Sequence, residues 1–516
     1  MVLSIADFLK QATERYPERE ALIFQKQRFS YRELNQRVNA ITHALLNMGV
    51  KQGDRVSVLM DDCSQYLELY FAAAKGNFIL NPINFRLTEN EIAYIVGNAE
   101  PTALIVGSNY RHMVDQFLCG KQKIRNVVVI GGRERGIDYE YLVEKNRKDE
   151  PNVPCAIDDP FCLMYTSGTT GFPKGALLTN CNFVQSAINM STDFEVRDAD
   201  VCLHVTPIFH AAVGMPLCHV VKGCKNILMS KFDPEVFLKT VEDERVTFTF
   251  LVATMLNAIL NVPGIEKYNL RSIRTIGIGA APVPVERLKE GIKVFGNVFI
   301  QTYGLTEGTC VESFMDLKRE FNTDAGDQKK LASIGKGVAN LQTKIVNDAG
   351  NSIRPGEIGE LIFKGKTVMK EYWRNPEETN KTLKDGWLYT GDLATVDSSG
   401  WIYIVDRKKD MIISGGENIY PKEVENVLYR YPGINEVAVI GVPDEKWGES
   451  VKALVSLRKG MTVTEEELID FCKKYLASYK KPKSVEFLEA LKKTASGKID
   501  KRAMRALYWA GRGKKI

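Results

Sequence analysis

Residues 165–175, YTSGTTGFPKG, constrain this chain more than any other stretch. Threonines, a serine, a lysine and three glycines are packed behind the apolar run FCLMY, residues 161–165, which suits a buried strand. Thr179 is placed to cap a helix over residues 180–190. The spacing predicts a strand, a polar glycine loop and a helix in succession. Backbone N–H groups, the hydroxyls of Thr166, Ser167, Thr169 and Thr170, and the Lys174 ammonium then face an anion. The Walker pattern G-x-x-x-x-G-K-[ST] is absent, because Pro173 precedes Lys174 and Gly175 follows it. The loop reads as a phosphate cradle of another kind.

The rest of the composition frames that loop without competing with it. A chain of 516 residues, 44% apolar and 26% charged, has ample material for two or more globular domains. A net charge of +5 over this length creates no general field for nucleic acid or membrane. No apolar run approaches the ~20 residues of a membrane span, and the first residues read as a capped amphipathic helix rather than a signal peptide. The ten cysteines include no C-x-x-C pair and no histidines at zinc spacing, so free thiols in a reducing cytoplasm are expected.

Residues 4–154 alternate helical and β-rich segments, with helices over 5–16 and 31–46 and strands over 55–59, 103–106 and 126–130. This pattern indicates βαβ units on mostly parallel, doubly wound sheets. Beyond residue 420 it changes to a small α+β unit: helix 421–429, strands 436–442 and 452–457, helix 464–475 and strand 484–487.

TSGTTGFPKG closely resembles the signature loop of the adenylate-forming enzymes, the AMP-dependent synthetases and ligases that include acyl-CoA synthetases, adenylation domains and firefly luciferase. The same resemblance continues in family order over residues 4–504. It assigns the loop from Thr166 through Ser167, Gly168, Thr169, Thr170 and Gly171 to Lys174 to the phosphates of ATP. In TIGIGAA it places Gly279, Ala280 and Ala281 beside the adenine. In QTYGLTEG it sets Gln301, Thr302 and Tyr303 against the adenine, Thr306 on the α-phosphate and Glu307 on Mg²⁺. Asp392 in YTGDLA is assigned to the ribose hydroxyls, Arg407 to ribose or phosphate, and Lys409 to the hinge between domains. Lys498 in ASGKIDK corresponds to the catalytic lysine of a mobile C-terminal domain, and Gly415 and Gly416 to the face along which a phosphopantetheine thiol enters. His210 in TPIFH falls at the acyl pocket, with Val252, Gly279, Thr309, Cys310 and Val311 as walls; a satisfied core histidine is the competing reading. The pattern departs from the family before Lys493, where Leu491 is followed by Lys492 in place of the usual proline.

The resemblance implies a large N-terminal domain of doubly wound sheets plus a distorted β-barrel, residues 1–408, and a small mobile domain, residues 409–516. It implies ATP-dependent activation of a fatty or aromatic carboxylic acid to acyl-AMP, with coenzyme A as acceptor and ATP and Mg²⁺ as cosubstrate and cofactor. Loading of a carrier protein, and nucleotide or acyl binding without catalysis, are the alternatives. The basic tail, including Lys501, Arg502 and Arg505, meets coenzyme A phosphates, meets an anionic membrane surface peripherally, or only solubilises the C-terminus.

Overall fold

The computed structural model describes residues 4–118, 124–166, 173–210, 213–281, 283–317, 330–494 and 498–510. Four sheets organise them. In the eight-stranded sheet the central strands Pro160–Thr166, Ile79–Pro82, Arg55–Leu59, Ala103–Gly107 and Asn126–Ile130 run parallel. In the nine-stranded sheet the parallel set is Phe299–Tyr303, Thr275–Gly279, Phe248–Val252, Val201–His204, Lys225–Leu228 and Glu20–Phe24. Antiparallel strands close the edges beside Phe299–Tyr303, Glu20–Phe24 and Pro160–Thr166.

One apolar core joins these two sheets, since Val56, Val58 and Leu80 of the first share it with Leu22, Cys202 and Phe248 of the second. The helix Ser64–Gly76 lies within that core and is buried at every residue, which its apolar composition on all sides requires. Its two charged residues are paired. Glu68 accepts from Arg37 at 2.7 Å and from the Tyr139 hydroxyl at 2.8 Å, and Lys75 meets Glu150 at 2.8 Å. Removing one member of such a buried pair costs ~3–5 kcal/mol.

The third sheet is antiparallel throughout: Leu341–Val346, Gly359–Gly365, Trp387–Val396, Leu383–Lys384 and Ile402–Arg407. The fourth, built on Gly448–Leu457 and Ile434–Asp444, has its own core around Val424, Leu428, Val439, Val455 and Leu468. This is the α/β architecture expected, with a small α+β unit at the C-terminal end. Among the described residues no helix is long and apolar enough to cross a membrane.

One local expectation fails. The segment beginning at Lys174 is a strand, Lys174–Thr179, antiparallel to Pro160–Thr166, which stands between the glycine loop and the helix that starts, as expected, at Asn180. The described ends of the glycine loop, Thr166 and Lys174, are therefore paired across a hairpin rather than leading straight into a helix. Thr179 caps the helix as anticipated, accepting from Asn182 N.

Candidate active site

The ends of parallel strands carry one wall of the site. Strand Thr275–Gly279 runs into Ala280, whose φ of +63° is left-handed, a conformation L-residues hold only where the surroundings impose it. Gly279 has a second reason to be glycine, because a Cβ there would lie 2.3 Å from Thr302 Oγ1. The neighbouring strand Phe299–Tyr303 thus presses Thr302 against the turn bearing Gly279, Ala280 and Ala281. Gln301 faces elsewhere, donating its amide to Leu331 O at 2.7 Å.

Tyr303 donates its hydroxyl to Asp392 Oδ2 at 2.6 Å, and Arg407 Nε lies 3.0 Å from Asp392 Oδ1. Asp392 and Arg407 are direct partners across the antiparallel pair Trp387–Val396 and Ile402–Arg407, so the register itself makes the ion pair. Asp392 chiefly holds the guanidinium above its ordinary pKa, and burial beside the same carboxylate pushes the Tyr303 phenol well up. Lys409, two residues on, is lowered by burial.

Thr306 and Glu307 form a single 3-10 turn with Gly308, followed by two non-glycine residues at positive φ, Thr309 (+60°) and Cys310 (+86°). Glu307 Oε1 accepts the Tyr372 hydroxyl at 2.7 Å, and its backbone oxygen accepts from Met369 N at 2.7 Å. A carboxylate has about four lone-pair sites, so one phenol leaves capacity for a cation. A hard carboxylate oxygen of this kind fits Mg²⁺. Lys174 is paired with Glu378 and stands 5.4 Å above the Tyr372 ring, which ties the glycine hairpin to the Glu307 turn. Thr166 ends the first hairpin strand, opposite Lys174. Ser167, Gly168, Thr169, Thr170 and Gly171 lie outside the described residues.

The segment that carries His210 is gripped at one peptide. Ile208 N donates to Asp62 at 3.1 Å, and Ile208 O accepts the hydroxyl of Tyr70 on the buried helix at 2.7 Å. Burial raises Asp62 to about 7 and lowers His210 to about 4, the latter helped by the Lys498 charge. Cys310 packs where Gly214 leaves room: a Cβ on Gly214 would lie 2.7 Å from both Cys310 Sγ and Met190 Cε.

Lys498 comes from the small C-terminal unit. A bridge between Lys493 and Ile499 closes its loop, and Lys498 N donates to Thr494 Oγ1 at 3.2 Å. Burial and the Arg407 guanidinium lower its ammonium to about 8, against the pull of Asp392 and Glu307. Lys498, Glu307, Asp392, Arg407 and His210 therefore share one electrostatic neighbourhood. Gly415 and Gly416 form the two-residue turn between strands Ile412–Ser414 and Glu417–Ile419, at φ +60° and +88°, a left-handed pair that favours glycine. A Cβ on Gly416 would meet nothing within 4 Å, and one on Gly415 would lie 2.5 Å from the Trp447 ring.

Sequence reasoning missed Tyr372, Glu378 and Glu312. Each is an isolated residue whose partner is fixed only by tertiary structure, Tyr372 and Glu378 meeting residues 65 and 204 positions away.

The chain matches the AMP-binding enzyme family over residues 9–373 and the AMP-binding enzyme C-terminal domain over residues 423–498. It is 39% identical over 481 residues to a feruloyl-CoA synthase from Amycolatopsis, covering 93% of this chain and 94% of that one. It is 35% identical over 488 residues to the long-chain-fatty-acid–CoA ligase FadD13 of Mycobacterium tuberculosis, covering 94% of each. Among solved structures, the anthranilate CoA ligase AuaEII in complex with anthranoyl-AMP superposes with a TM-score of 0.91 at 25% identity, over 98% of this chain and 97% of that one. The chain thus belongs to the AMP-binding enzymes of the adenylate-forming superfamily, in the acyl-CoA synthetase family of AMP-forming acid–thiol ligases.

Proposed function

We propose that this enzyme joins a fatty or aromatic carboxylic acid to coenzyme A in two steps on one site. The observation that supports the reading is the Tyr303–Asp392–Arg407 cluster, within electrostatic reach of Glu307 and of Lys498 from the C-terminal unit. In the first step a carboxylate oxygen attacks the α-phosphorus of ATP, the bond to the β-phosphate oxygen breaks, and pyrophosphate leaves with that electron pair. Negative charge gathers on the phosphate oxygens, so catalysis is positioning and electrostatic stabilisation. Lys498 and Thr306 face the α-phosphate in this scheme, the Thr166–Lys174 hairpin loop faces the departing phosphates, and Asp392 takes the ribose hydroxyls. Mg²⁺ held by Glu307 neutralises phosphate charge when bound. One charge–charge contact near 4 Å is worth about 4 kcal/mol at an effective dielectric of 20.

In the second step the thiol sulfur attacks the acyl carbon, AMP departs, and the thiol proton is lost to solvent. We assign residues 1–408 to the adenylating domain and residues 409–516 to a domain that pivots at Lys409, withdrawing Lys498 and presenting Gly415 and Gly416 to the thiol. The acid lies between His210, Val252, Gly279 and the residues 309–311. We place the enzyme in the cytoplasm, a reading supported by nine described cysteines that are all free.

A panel of carboxylic acids assayed with ATP, Mg²⁺ and coenzyme A, scored by pyrophosphate and by thioester, tests the assignment. Both products with at least one aryl or alkyl acid are expected; ATP binding with no pyrophosphate from any acid sinks it. Gly416→Asn separates the halves, since asparagine tolerates positive φ but adds bulk. Thioester formation is expected to fall about tenfold or more with adenylation retained, and undiminished transfer removes Gly416 from the thiol path.

A further inference from the structure

Glu312 follows the YGLTEG segment and is fully buried, at 0% exposure. Its backbone is pinned from both sides, N donating to Tyr303 O at 2.9 Å and O accepting from Val338 N at 3.0 Å. The side chain folds back into the turn it follows. Oε2 accepts from Leu305 N at 3.1 Å. Leu305 lies between the end of a strand at Tyr303 and the 3-10 turn at Thr306, where no ladder supplies an acceptor for its N–H.

The same carboxyl explains two glycines. A Cβ on Gly308 would lie 1.8 Å from Glu312 Oε1, and its three nearest atoms all belong to Glu312. A Cβ on Gly304 would lie 2.8 Å from Oε2, besides 1.7 Å from Cys310 O. Burial, with the nearby Glu307 charge, raises the Glu312 carboxyl well above its ordinary range. An acid buried beside a like charge is costly, and an aliphatic residue would fill the volume more cheaply. What the aliphatic residue lacks is the acceptor for Leu305.

We propose that Glu312 is the positioning residue of the nucleotide segment: its carboxyl fills the Gly304–Gly308 turn, takes the Leu305 N–H and fixes the turn on which Thr306 and Glu307 stand. The proposal rests on the assignment of Thr306 and Glu307 to ATP and Mg²⁺.

Second-site coupling tests it, with steady-state KM for Mg-ATP and for the acid measured on the full chain. Gly308→Ala places a methyl group on Glu312, at a backbone conformation alanine accepts. It raises KM for Mg-ATP about tenfold, and Glu312→Ala does so to a similar degree. The double variant Gly308→Ala/Glu312→Ala recovers most of one of those losses, because the methyl group enters the vacated space. Glu312→Gln keeps shape and acceptor and restores KM toward the wild-type value, and this comparison with Glu312→Ala decides the matter if Gly308→Ala does not fold. KM for the acid stays within about twofold throughout. Additive effects of the two substitutions, damage by Glu312→Gln equal to that by Glu312→Ala, or acid and ATP constants rising together would each overturn the proposal. Glu307→Gln is the control for the reading beneath it: unchanged use of ATP in that variant removes the nucleotide assignment, and this proposal with it, whereas a damaged Glu307→Gln beside an undamaged Gly308→Ala removes only the brace.

Discussion

On the proposed nucleotide side of the site, four side chains are held by directional partners: Tyr303 on Asp392, Arg407 on Asp392, Tyr372 on Glu307, Lys174 on Glu378. On the proposed acid side, Cys310 and Met190 close in on the bare Gly214, where a Cβ would lie 2.7 Å from each, burial keeps His210 neutral, and the directional contacts of Asp62 and Tyr70 go to a backbone peptide, that of Ile208. The contrast shows why one substrate is readable and the other is not. Hydrogen bonds and ion pairs demand particular residue types, which a sequence displays; an apolar wall demands a shape, which many residue combinations supply.

The largest effect that would divide the two sides is at Lys498. Lys498→Ala is expected to slow acyl-adenylate formation by about 10²–10³-fold, the loss typical of one preorganised charge donor. Thioester formation from supplied acyl-adenylate stays near the wild-type rate. Equal loss in both halves, measured by single turnover, would contradict the role.

Next comes Asp392→Ala, which strands a tyrosine hydroxyl and an arginine at once. KM for ATP should rise about 10–100-fold, as for lost hydrogen bonds to a charged group, with KM for the acid little changed. A parallel rise in the acid constant would show the two sides to be one coupled unit.

Titration gives a gentler separation. Lys498 is lowered from its usual value to about 8, and the ammonium is the active form, so kcat/KM for ATP is expected to decline as pH rises through about 8 and to be flat below it. His210 is lowered to about 4, so it is already neutral at pH 6 and kcat/KM for the acid shows no histidine inflection between about pH 6 and 8. A step near pH 6.5 that disappears in His210→Asn would reverse the assignment of a dry, neutral acid side.

The smallest effect belongs to the apolar wall. Cys310→Ala enlarges the pocket by one sulfur atom and should shift the ratio of kcat/KM between acids one methylene apart by about 10-fold or less, while KM for ATP holds. A change confined to ATP would move Cys310 to the other side.

What the sequence makes legible follows the same division. Strands Arg55–Leu59, Asn126–Ile130 and Ser484–Phe487 stand where the alternation of apolar and β-branched residues put them, and helix Glu465–Lys473 starts after its Thr464 cap. The strand after Lys174 goes unread because GALLT is too short for its periodicity to announce a strand. Its partner strand Glu371–Tyr372 is only two residues long and announces nothing. Glu312 escapes for a related reason, being a lone acidic residue between Val311 and Ser313, and only the backbone that folds Gly304 and Gly308 around it gives it a task.

The pairing of Asp392 with Arg407 also limits how this chain can change length. Lys409 lies two residues beyond Arg407 on the same run of backbone, so the distance from the proposed ribose contact to the proposed pivot is counted in residues rather than set by a flexible tether. One residue inserted between Ile404 and Arg407 would turn the guanidinium to the other face of the sheet and move the pivot with it. An insertion at the turn before Trp401, where Asp397, Ser399 and Gly400 connect the two strands in the open, leaves that count intact. Natural variation in length among enzymes of this architecture should therefore collect at that turn and avoid the few residues that follow it.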